Sequence, residues 1–233
     1  MFKRSQNIGS AFVLLLLLIA FPKDIFCQEQ SNWDNMLFVG NKISWGKNRW
    51  KTTGEIQIRL KDNLESLDKW FVESIGSYLA TKNWEFILPL RYSITSGPNE
   101  FRPGIGFLYK SYPNSKIQLS QQVLYQADIS KAETQHGLRY VFFYNQKIND
   151  RFIPNAAAGA FYRWSENFNG IQFIRVGAGL TYLIDKKHTL NFSYFLGATD
   201  SGENWSFQGI PLIQLIIHLG KNYQHIPAKF INF

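Results

Sequence analysis

Residues 83–94 have the sequence NWEFILPLRYSI, and this stretch decides the fold class. Apolar side chains occupy every even position, whereas most odd positions carry Asn, Glu, Arg or Ser. The apolar residues are Trp84, Phe86, Leu88, Leu90, Tyr92 and Ile94. A helix would scatter these side chains around its circumference, but a β-strand places them all on one face. The stretch therefore predicts a strand with one apolar and one polar face.

The same alternation recurs along the chain between turn-forming residues. The further segments are 54–60, 69–79, 99–110, 116–127, 136–145, 151–164, 171–184, 188–197 and 206–220. In 69–79 and 206–220 both faces carry apolar residues, so the inward face is ambiguous there. No segment with helical periodicity interrupts the series, so we expect consecutive strands to pair antiparallel and the sheet to close on itself.

The prediction is an all-β, antiparallel, up-and-down transmembrane β-barrel of about 10 strands over residues 50–220. Residues 28–49 are expected to form a periplasmic segment or an extra strand. Residues 221–233 form a tail that ends in Phe233, a terminal aromatic residue typical of outer-membrane assembly signals. The count rises to twelve strands if residues 33–47 and the tail each add one.

Composition excludes two other classes of protein. The 233 residues are 45% hydrophobic, 16% aromatic and 18% charged, with a mean hydropathy of −0.20. The aromatic content is too high for a disordered chain. After the N-terminus, no apolar run approaches the roughly 18 residues of a membrane-spanning helix. The chain is therefore expected to be soluble or a β-barrel.

Residues 1–27 have the pattern of a cleaved secretory signal peptide, with Lys3 and Arg4 before an apolar run and cleavage expected after Cys27. An uncleaved anchor and a lipoprotein acylated at Cys27 are the alternatives. Cleavage removes the only cysteine, which excludes disulfides and cysteine metal sites in the mature chain. It also lowers the net charge from +8 to +6, because three bases and one acid are lost. The remaining bases are dispersed, so we expect no nucleic-acid partner.

The polar faces distinguish a soluble barrel from an outer-membrane barrel, in which the apolar face contacts lipid and the polar face lines the lumen. Side chains already fill the interior of a barrel of about eight strands, so rings of Phe, Tyr and Trp on an inward face would be hard to pack. Arginine on the polar face suits buried pairing with carboxylates. The residues predicted to form a charge-paired network in the lumen are Glu55, Arg59, Glu73, Glu85, Arg91, Glu100, Arg102, Arg139, Arg163 and Arg175.

Aromatic residues near the predicted strand ends indicate the two interfacial girdles of an outer-membrane barrel. They are Trp50, Trp70, Trp84, Tyr92, Tyr109, Tyr125, Tyr162, Trp164, Tyr182 and Trp205. The predicted links alternate between long and short, as external loops and periplasmic turns do. The long links are 61–68, 94–98, 128–134, 165–170 and 198–205, and the short ones are 80–82, 111–115, 147–150 and 185–187. This order places the N-terminus in the periplasm if the first strand begins at Trp50.

Several short motifs resemble the domain of unknown function 2490 family. They are Trp50 with EIQIR at 55–59, EFR at 100–102, QQ at 121–122 and RVGAGLTY at 175–182. The resemblance covers about residues 33–220. It implies an exported protein of Gram-negative bacteria with an outer-membrane barrel fold, and it implies no catalytic activity.

Motifs of catalysis are missing from the sequence. There is no Gly-x-Ser-x-Gly element, no histidine pair with metal-site spacing and no glycine-rich phosphate loop that opens a helix. We therefore expect no enzyme activity, no metal site and no cofactor. The glycines at positions 104, 106, 177 and 179 are expected to make room for opposing arginine and aromatic side chains.

The sequence predicts an outer-membrane β-barrel with a structural or binding role and an unidentified ligand. Its expected partners are outer-membrane lipid and the barrel assembly machinery. Three alternatives stay open, namely a narrow pore for a small solute, an outer-membrane lipid-modifying enzyme and a soluble periplasmic binding barrel.

Overall fold

The computed structural model describes residues 32–200, 202 and 204–219. The predicted signal peptide and the tail 221–233 lie outside these residues. In the described part of the chain, no helix has both the length and the hydropathy needed to cross a membrane.

The described residues form twelve strands. They are β1 (Trp33–Asn35), β2 (Leu37–Lys47), β3 (Trp50–Lys61), β4 (Ser66–Leu79), β5 (Trp84–Thr95), β6 (Glu100–Asn114), β7 (Ile117–Ile129), β8 (Thr134–Gln146), β9 (Phe152–Trp164), β10 (Asn169–Leu183), β11 (His188–Asp200) and β12 (Trp205–His218).

Strands β2 to β12 form a closed wall of eleven strands, in which each strand pairs antiparallel with the next along the chain. This confirms the predicted all-β barrel. The closing pair differs from the expected antiparallel pattern, because β12 pairs with β2 in parallel, from Leu212 opposite Phe38 to His218 opposite Ser44. An odd number of strands leaves the first and last strands pointing the same way. The short β1 adds to the beginning of β12, also in parallel.

The wall ends in two rims, and each rim is defined by the links that connect consecutive strands there. Rim A contains links 62–65, 96–99, 130–133, 165–168 and the connection from β11 to β12. Rim B contains links 48–49, 80–83, 115–116, 147–151 and 184–187.

One strand of the wall, β2, already runs from rim to rim before Trp50, the residue at which the first strand was predicted to begin. Strand β1 lies near rim A, because Trp33 pairs with Phe207 at the beginning of β12. Strand β2 then leads to rim B, and β12 ends there at His218. The two ends of the described chain therefore lie at opposite rims. The prediction of a periplasmic N-terminus assumed that the first strand begins at Trp50, and this assumption does not hold.

The predicted alternation of long and short links is wrong. The links at rim A that lie within the described residues have four residues each, and those at rim B have two to five. The strands extend into the stretches taken for long loops, as in β4 and β10. Side-chain alternation marks only the part of a strand with one apolar side, whereas backbone pairing continues through polar ends.

The two faces of β5 differ as predicted. Its even positions from Trp84 to Tyr92 point outward and are 41–56% exposed, whereas Glu85, Ile87 and Arg91 are buried on the inner face. The ambiguous β4 follows the same rule, with Phe71 inward. The outer face is thus apolar and exposed around the wall.

Aromatic rings gather at both ends of this apolar outer face. At rim B, rings of adjacent strands pack in pairs, with centroids 4.7 Å apart for Trp50 and Tyr78 and 4.9 Å apart for Trp84 and Tyr109. In β5, nine residues separate the two belts, counted from Trp84 to Tyr92 inclusive. A strand tilted by about 45° needs roughly 9–11 residues to cross a bilayer core. The belts therefore have the spacing of membrane interfaces.

The inner face also carries apolar side chains, which the sequence analysis did not place there. A cluster along the inner wall from β2 through β12 to β8 contains Met36, Phe38, Val141, Phe143, Ala157, Phe195, Ile210 and Leu212. A second cluster contains Ile75, Ile87, Leu108 and Leu124. Because β12 has apolar residues on both faces, its alternation was obscured in the sequence.

Candidate functional site

The residues predicted for the lumen all lie on strands of the wall, and most of them are buried on its inner face. Arg102, Arg163 and Glu100 lie near rim A and are partly exposed. The other seven are buried, namely Glu55, Arg59, Glu73, Glu85, Arg91, Arg139 and Arg175. The strand geometry therefore brings the predicted set into one interior.

Two pairs join predicted acids to predicted arginines. Arg91 Nη2 lies 3.0 Å from Glu73 Oε1, and Arg91 Nε donates a hydrogen bond to the same oxygen at 3.1 Å. Near rim A, Arg102 Nη2 lies 3.6 Å from Glu100 Oε2. The expected charge pairing is therefore present, but it involves only some of the arginines.

Asp128, which the sequence analysis assigned to a link, is the main carboxylate at rim A. Arg102 Nη2 and Arg163 Nη2 both donate to Asp128 Oδ2, at 3.0 and 2.9 Å. Arg102 Nε and Gln126 donate to the other oxygen. Asp128 thus bridges two arginines of β6 and β9. Asp128 occupies one of the even positions of β7, which point inward, and this position is the sequence signal that could have identified it.

Lysines are the partners of the other acids. Lys42 Nζ lies 3.2 Å from Glu55 Oε2, and Lys51 Nζ lies 3.0 Å from Glu85 Oε1. Lys110 donates to the second oxygen of Glu85 and is only 1% exposed. These lysines are absent from the predicted lumen network, because arginine alone was expected to form the buried pairs.

Arginines and phenylalanines alternate along part of the interior. The guanidinium carbon of Arg91 lies 4.0 Å from the centre of the Phe71 ring, and that of Arg59 lies 5.2 Å from the same ring. Arg59 is also 4.2 Å from the Phe38 ring, which Arg175 approaches at 5.7 Å from a strand further round the wall. Cation–π contacts are worth about 2 kcal/mol when desolvated, so the rings fix the orientation of these guanidinium groups.

Arg139 and Arg175 form no ion pair with a described carboxylate. In the described part of the chain, no acid lies within ion-pair distance of either side chain. Arg139 Nε and Arg175 Nε and Nη1 are buried and have no hydrogen-bond partner there. Burying an N–H group without a hydrogen bond is costly, and these three nitrogen atoms have donor capacity that no described residue uses.

The charges of the inner wall are therefore not balanced. Its ten basic side chains are Lys42, Lys51, Arg59, Lys69, Arg91, Arg102, Lys110, Arg139, Arg163 and Arg175. The acidic side chains number six, namely Glu55, Asp68, Glu73, Glu85, Glu100 and Asp128. All six arginines lie in the half of their strands that leads to rim A. The positive excess is thus concentrated toward that rim.

A family model described as "Protein of unknown function (DUF2490)" matches residues 31–208. This chain belongs to the DUF2490 family. The match confirms the resemblance found in the sequence. Among curated proteins, none matches this DUF2490 chain significantly.

Three solved structures are similar to this DUF2490 barrel. The NanC porin has 12% sequence identity and a TM-score of 0.49, with 75% of this chain and 95% of that chain covered. The KdgM porin has 13% identity and a TM-score of 0.44, with 71% and 85% covered. The KdgM porin in complex with disordered oligogalacturonate has 12% identity and a TM-score of 0.45, with 75% and 93% covered.

The described histidines of the DUF2490 chain each form a side-chain contact with a residue other than an arginine. His136 is at rim A, where its Nδ1 is 2.8 Å from the hydroxyl of Tyr125. His188 follows link 184–187 at rim B. His218 Nδ1 is 2.9 Å from Ser44 Oγ, and these two buried residues are register partners in the closing pair of strands. The contact therefore joins the first and last strands of the wall.

The glycines at positions 104, 106, 177 and 179 of the inner wall face neighbouring strands rather than arginines. A Cβ at Gly106 would lie 2.3 Å from Val123 O, and one at Gly177 would lie 2.2 Å from Tyr194 O. At Gly177 the next neighbour is the ring of Phe195. The expectation of space for an aromatic side chain thus fits Gly177, but these contacts do not involve the predicted arginines.

Proposed function

We propose that the chain is an outer-membrane β-barrel that forms a narrow, anion-selective channel. The observation that carries this proposal is the pair of buried arginines, Arg139 and Arg175, for which no carboxylate of the described residues lies within ion-pair distance. Rings of Arg and Lys are the usual means by which a pore selects anions.

The outer face supports the membrane location. It is apolar between two aromatic belts whose separation fits a bilayer core. A soluble protein rarely exposes a continuous apolar surface of more than a few hundred Å². The polar and charged residues are on the inner face, which is the reverse of a soluble barrel.

The filled interior supports a narrow passage. Large side chains such as Phe71, Phe161 and Arg91 are fully buried on the inner wall. A barrel of about eight strands has an interior just filled by side chains, whereas 16–18 strands leave an aqueous channel. Eleven strands with such side chains fit small solutes rather than the cargo of a wide porin.

Planar-bilayer recordings of the purified barrel test the proposal. In a potassium chloride gradient, we expect the reversal potential to show that chloride passes more readily than potassium. The double variant Arg139→Gln and Arg175→Gln should shift this potential toward zero. The control Lys131→Gln removes an exposed base in link 130–133 and should leave selectivity unchanged. Cation selectivity of the wild type, or an unchanged potential in the double variant, would contradict the proposal.

A closed barrel that binds an anion without conducting it is a second candidate. The apolar cluster from β2 to β8 favours it, because such side chains can occlude a lumen. In this case no conductance would be seen, but sulfate should raise the unfolding temperature more than chloride does at equal ionic strength. The double arginine variant should lose that difference.

We also propose that the protein is not an enzyme. The contact between Ser44 and His218 holds register partners together at the closure of the wall, which accounts for it without catalysis. Lipid profiles of cells with the Ser44→Ala variant should match those of the wild type. A lipid species that changes with this substitution would contradict the proposal.

A further inference from the structure

Every link at rim B carries at least one base. The bases are Arg49, Lys82, Lys116, Lys147, Arg151, Lys186 and Lys187. All of them are exposed. Only two acids, Asp150 and Asp185, occur in the same five links. Rim B is therefore surrounded by an exposed basic collar, a name we use for these seven side chains.

The described links of rim A carry more acids than bases. The links 62–65, 96–99, 130–133 and 165–168 contain a single base, Lys131. They contain four acids, namely Asp62, Glu65, Glu133 and Glu166. The basic collar is thus not a general feature of the links, as it would be if it served only solubility.

Most of the collar is not neutralised by the residues that the structure describes. Lys147 pairs with Asp150 at 2.8 Å. Asp185 accepts hydrogen bonds from the side chain of His188 and from the backbone of link 184–187. In the described part of the chain, no carboxylate lies within ion-pair distance of Lys82, Lys116 or Arg151. These charges are therefore available to an external anion.

The aromatic belt fixes the depth of the collar. The paired rings of Trp50 and Tyr78, and the ring of Trp84, lie on strand residues next to links 48–49 and 80–83. Amphipathic rings settle at the boundary between lipid chains and headgroups. Bases one or two residues beyond such rings lie at the level of the headgroups, where each contributes to binding of anionic lipid.

We propose that the basic collar of rim B binds the phosphate groups of anionic phospholipid in the surrounding leaflet. This inference rests on the membrane location proposed above, but it is independent of whether the lumen conducts. It assigns the two rims to different environments, because the described links of rim A carry more acids than bases. The contacts are expected to weaken as salt rises, since exposed charges are screened.

Native mass spectrometry of the detergent-solubilised full-length mature barrel tests this binding, with phosphatidylglycerol and phosphatidylcholine as probes. We expect several phosphatidylglycerol adducts and few phosphatidylcholine adducts at equal lipid concentration. The variant with Lys82→Gln, Lys116→Gln, Arg151→Gln and Lys186→Gln should bind phosphatidylglycerol at least tenfold more weakly. The matched variant Lys61→Gln and Lys131→Gln, at rim A, should bind as the wild type does.

Heat-modifiable gel migration shows whether each variant is folded before binding is measured. Equal binding of the two lipids by the wild type, or full retention of phosphatidylglycerol by the folded rim B variant, would overturn the inference. Failure of the wild type to associate with membranes at all would instead overturn the proposed membrane location. The two failures are therefore distinguishable.

Discussion

Arg91 and Glu73 face each other across β4 and β5 as register partners, and both are buried in the interior of the barrel. The guanidinium group donates to Glu73 Oε1 from Nε at 3.1 Å, while its carbon lies over the Phe71 ring, 4.0 Å from the ring centre. The pair therefore combines an ion pair with an aromatic contact. Such a buried pair is sensitive to the loss of one partner, because the other charge is then uncompensated.

Glu73→Leu should destabilise the barrel by about 3–5 kcal/mol, the usual cost of leaving one member of a buried pair alone. Equilibrium urea unfolding followed by tryptophan fluorescence measures this change. The double variant Glu73→Leu and Arg91→Met removes both charges and should recover most of the loss. If the double variant is no more stable than Glu73→Leu, the ion pair is not the source of the effect.

Gly106→Ala should destabilise the barrel by about 1–3 kcal/mol, as overpacking of a tight contact does. The new Cβ would lie 2.3 Å from Val123 O and 2.9 Å from Leu124 Cα, and the backbone of β7 would have to move. Gly54→Ala is the matched control, because nothing lies within 4 Å of a Cβ there. Urea unfolding should separate the two variants, and equal stability would contradict the close approach of β6 and β7.

Asp185 at rim B should titrate well below an ordinary aspartate. A hydrogen bond from the His188 side chain, together with those from the backbone N–H groups of Lys187 and His188, holds its pKa at about 2 rather than 3.8. Because the pKa of Asp185 is lower in the folded state, its ionised carboxylate stabilises the folded barrel above pH 3.8. This stabilisation is lost as the pH falls toward 2. Carboxyl NMR titration of the folded barrel measures this pKa. His188→Ala should raise it, whereas an unchanged value would refute the role of His188.

Most of the fold follows from side-chain alternation. In β5, one face is apolar and the other polar from Trp84 to Tyr92, which determines both the strand and its orientation. In β12 the alternation fails, because Ile210 and Leu212 point inward while Phe207 points outward. The parallel pairing of β12 with β2 leaves no periodic pattern in the sequence. It depends on which two strands meet and not on the pattern of side chains within either strand.

The ten predicted members of the candidate site were predictable from the sequence, but two kinds of member, Asp128 and the lysines, and the pairing of the charges were not. The alternation of side chains along each strand places Arg139 and Arg175 on the inner face. Whether a carboxylate reaches them depends on strand register and side-chain packing. Asp128 was missed because it follows the last apolar residues of its segment, where the strand was thought to have ended. Lys110 was missed because buried carboxylates were expected to pair with arginine, whereas Glu85 pairs with two lysines.

Cysteine cross-linking should verify the parallel closure of β12 on β2. Val39 and Ile213 are register partners and are exposed on the outer face, so the pair Val39→Cys and Ile213→Cys should form a disulfide under mild oxidation in a Cys27→Ser background. The control pair Val39→Cys and Ile217→Cys is out of register by four residues, or about 13 Å along a strand, and should stay reduced. Non-reducing electrophoresis after proteolysis between the two strands detects the link. Cross-linking of the control pair in preference to the register pair would show that the two strands do not meet as described.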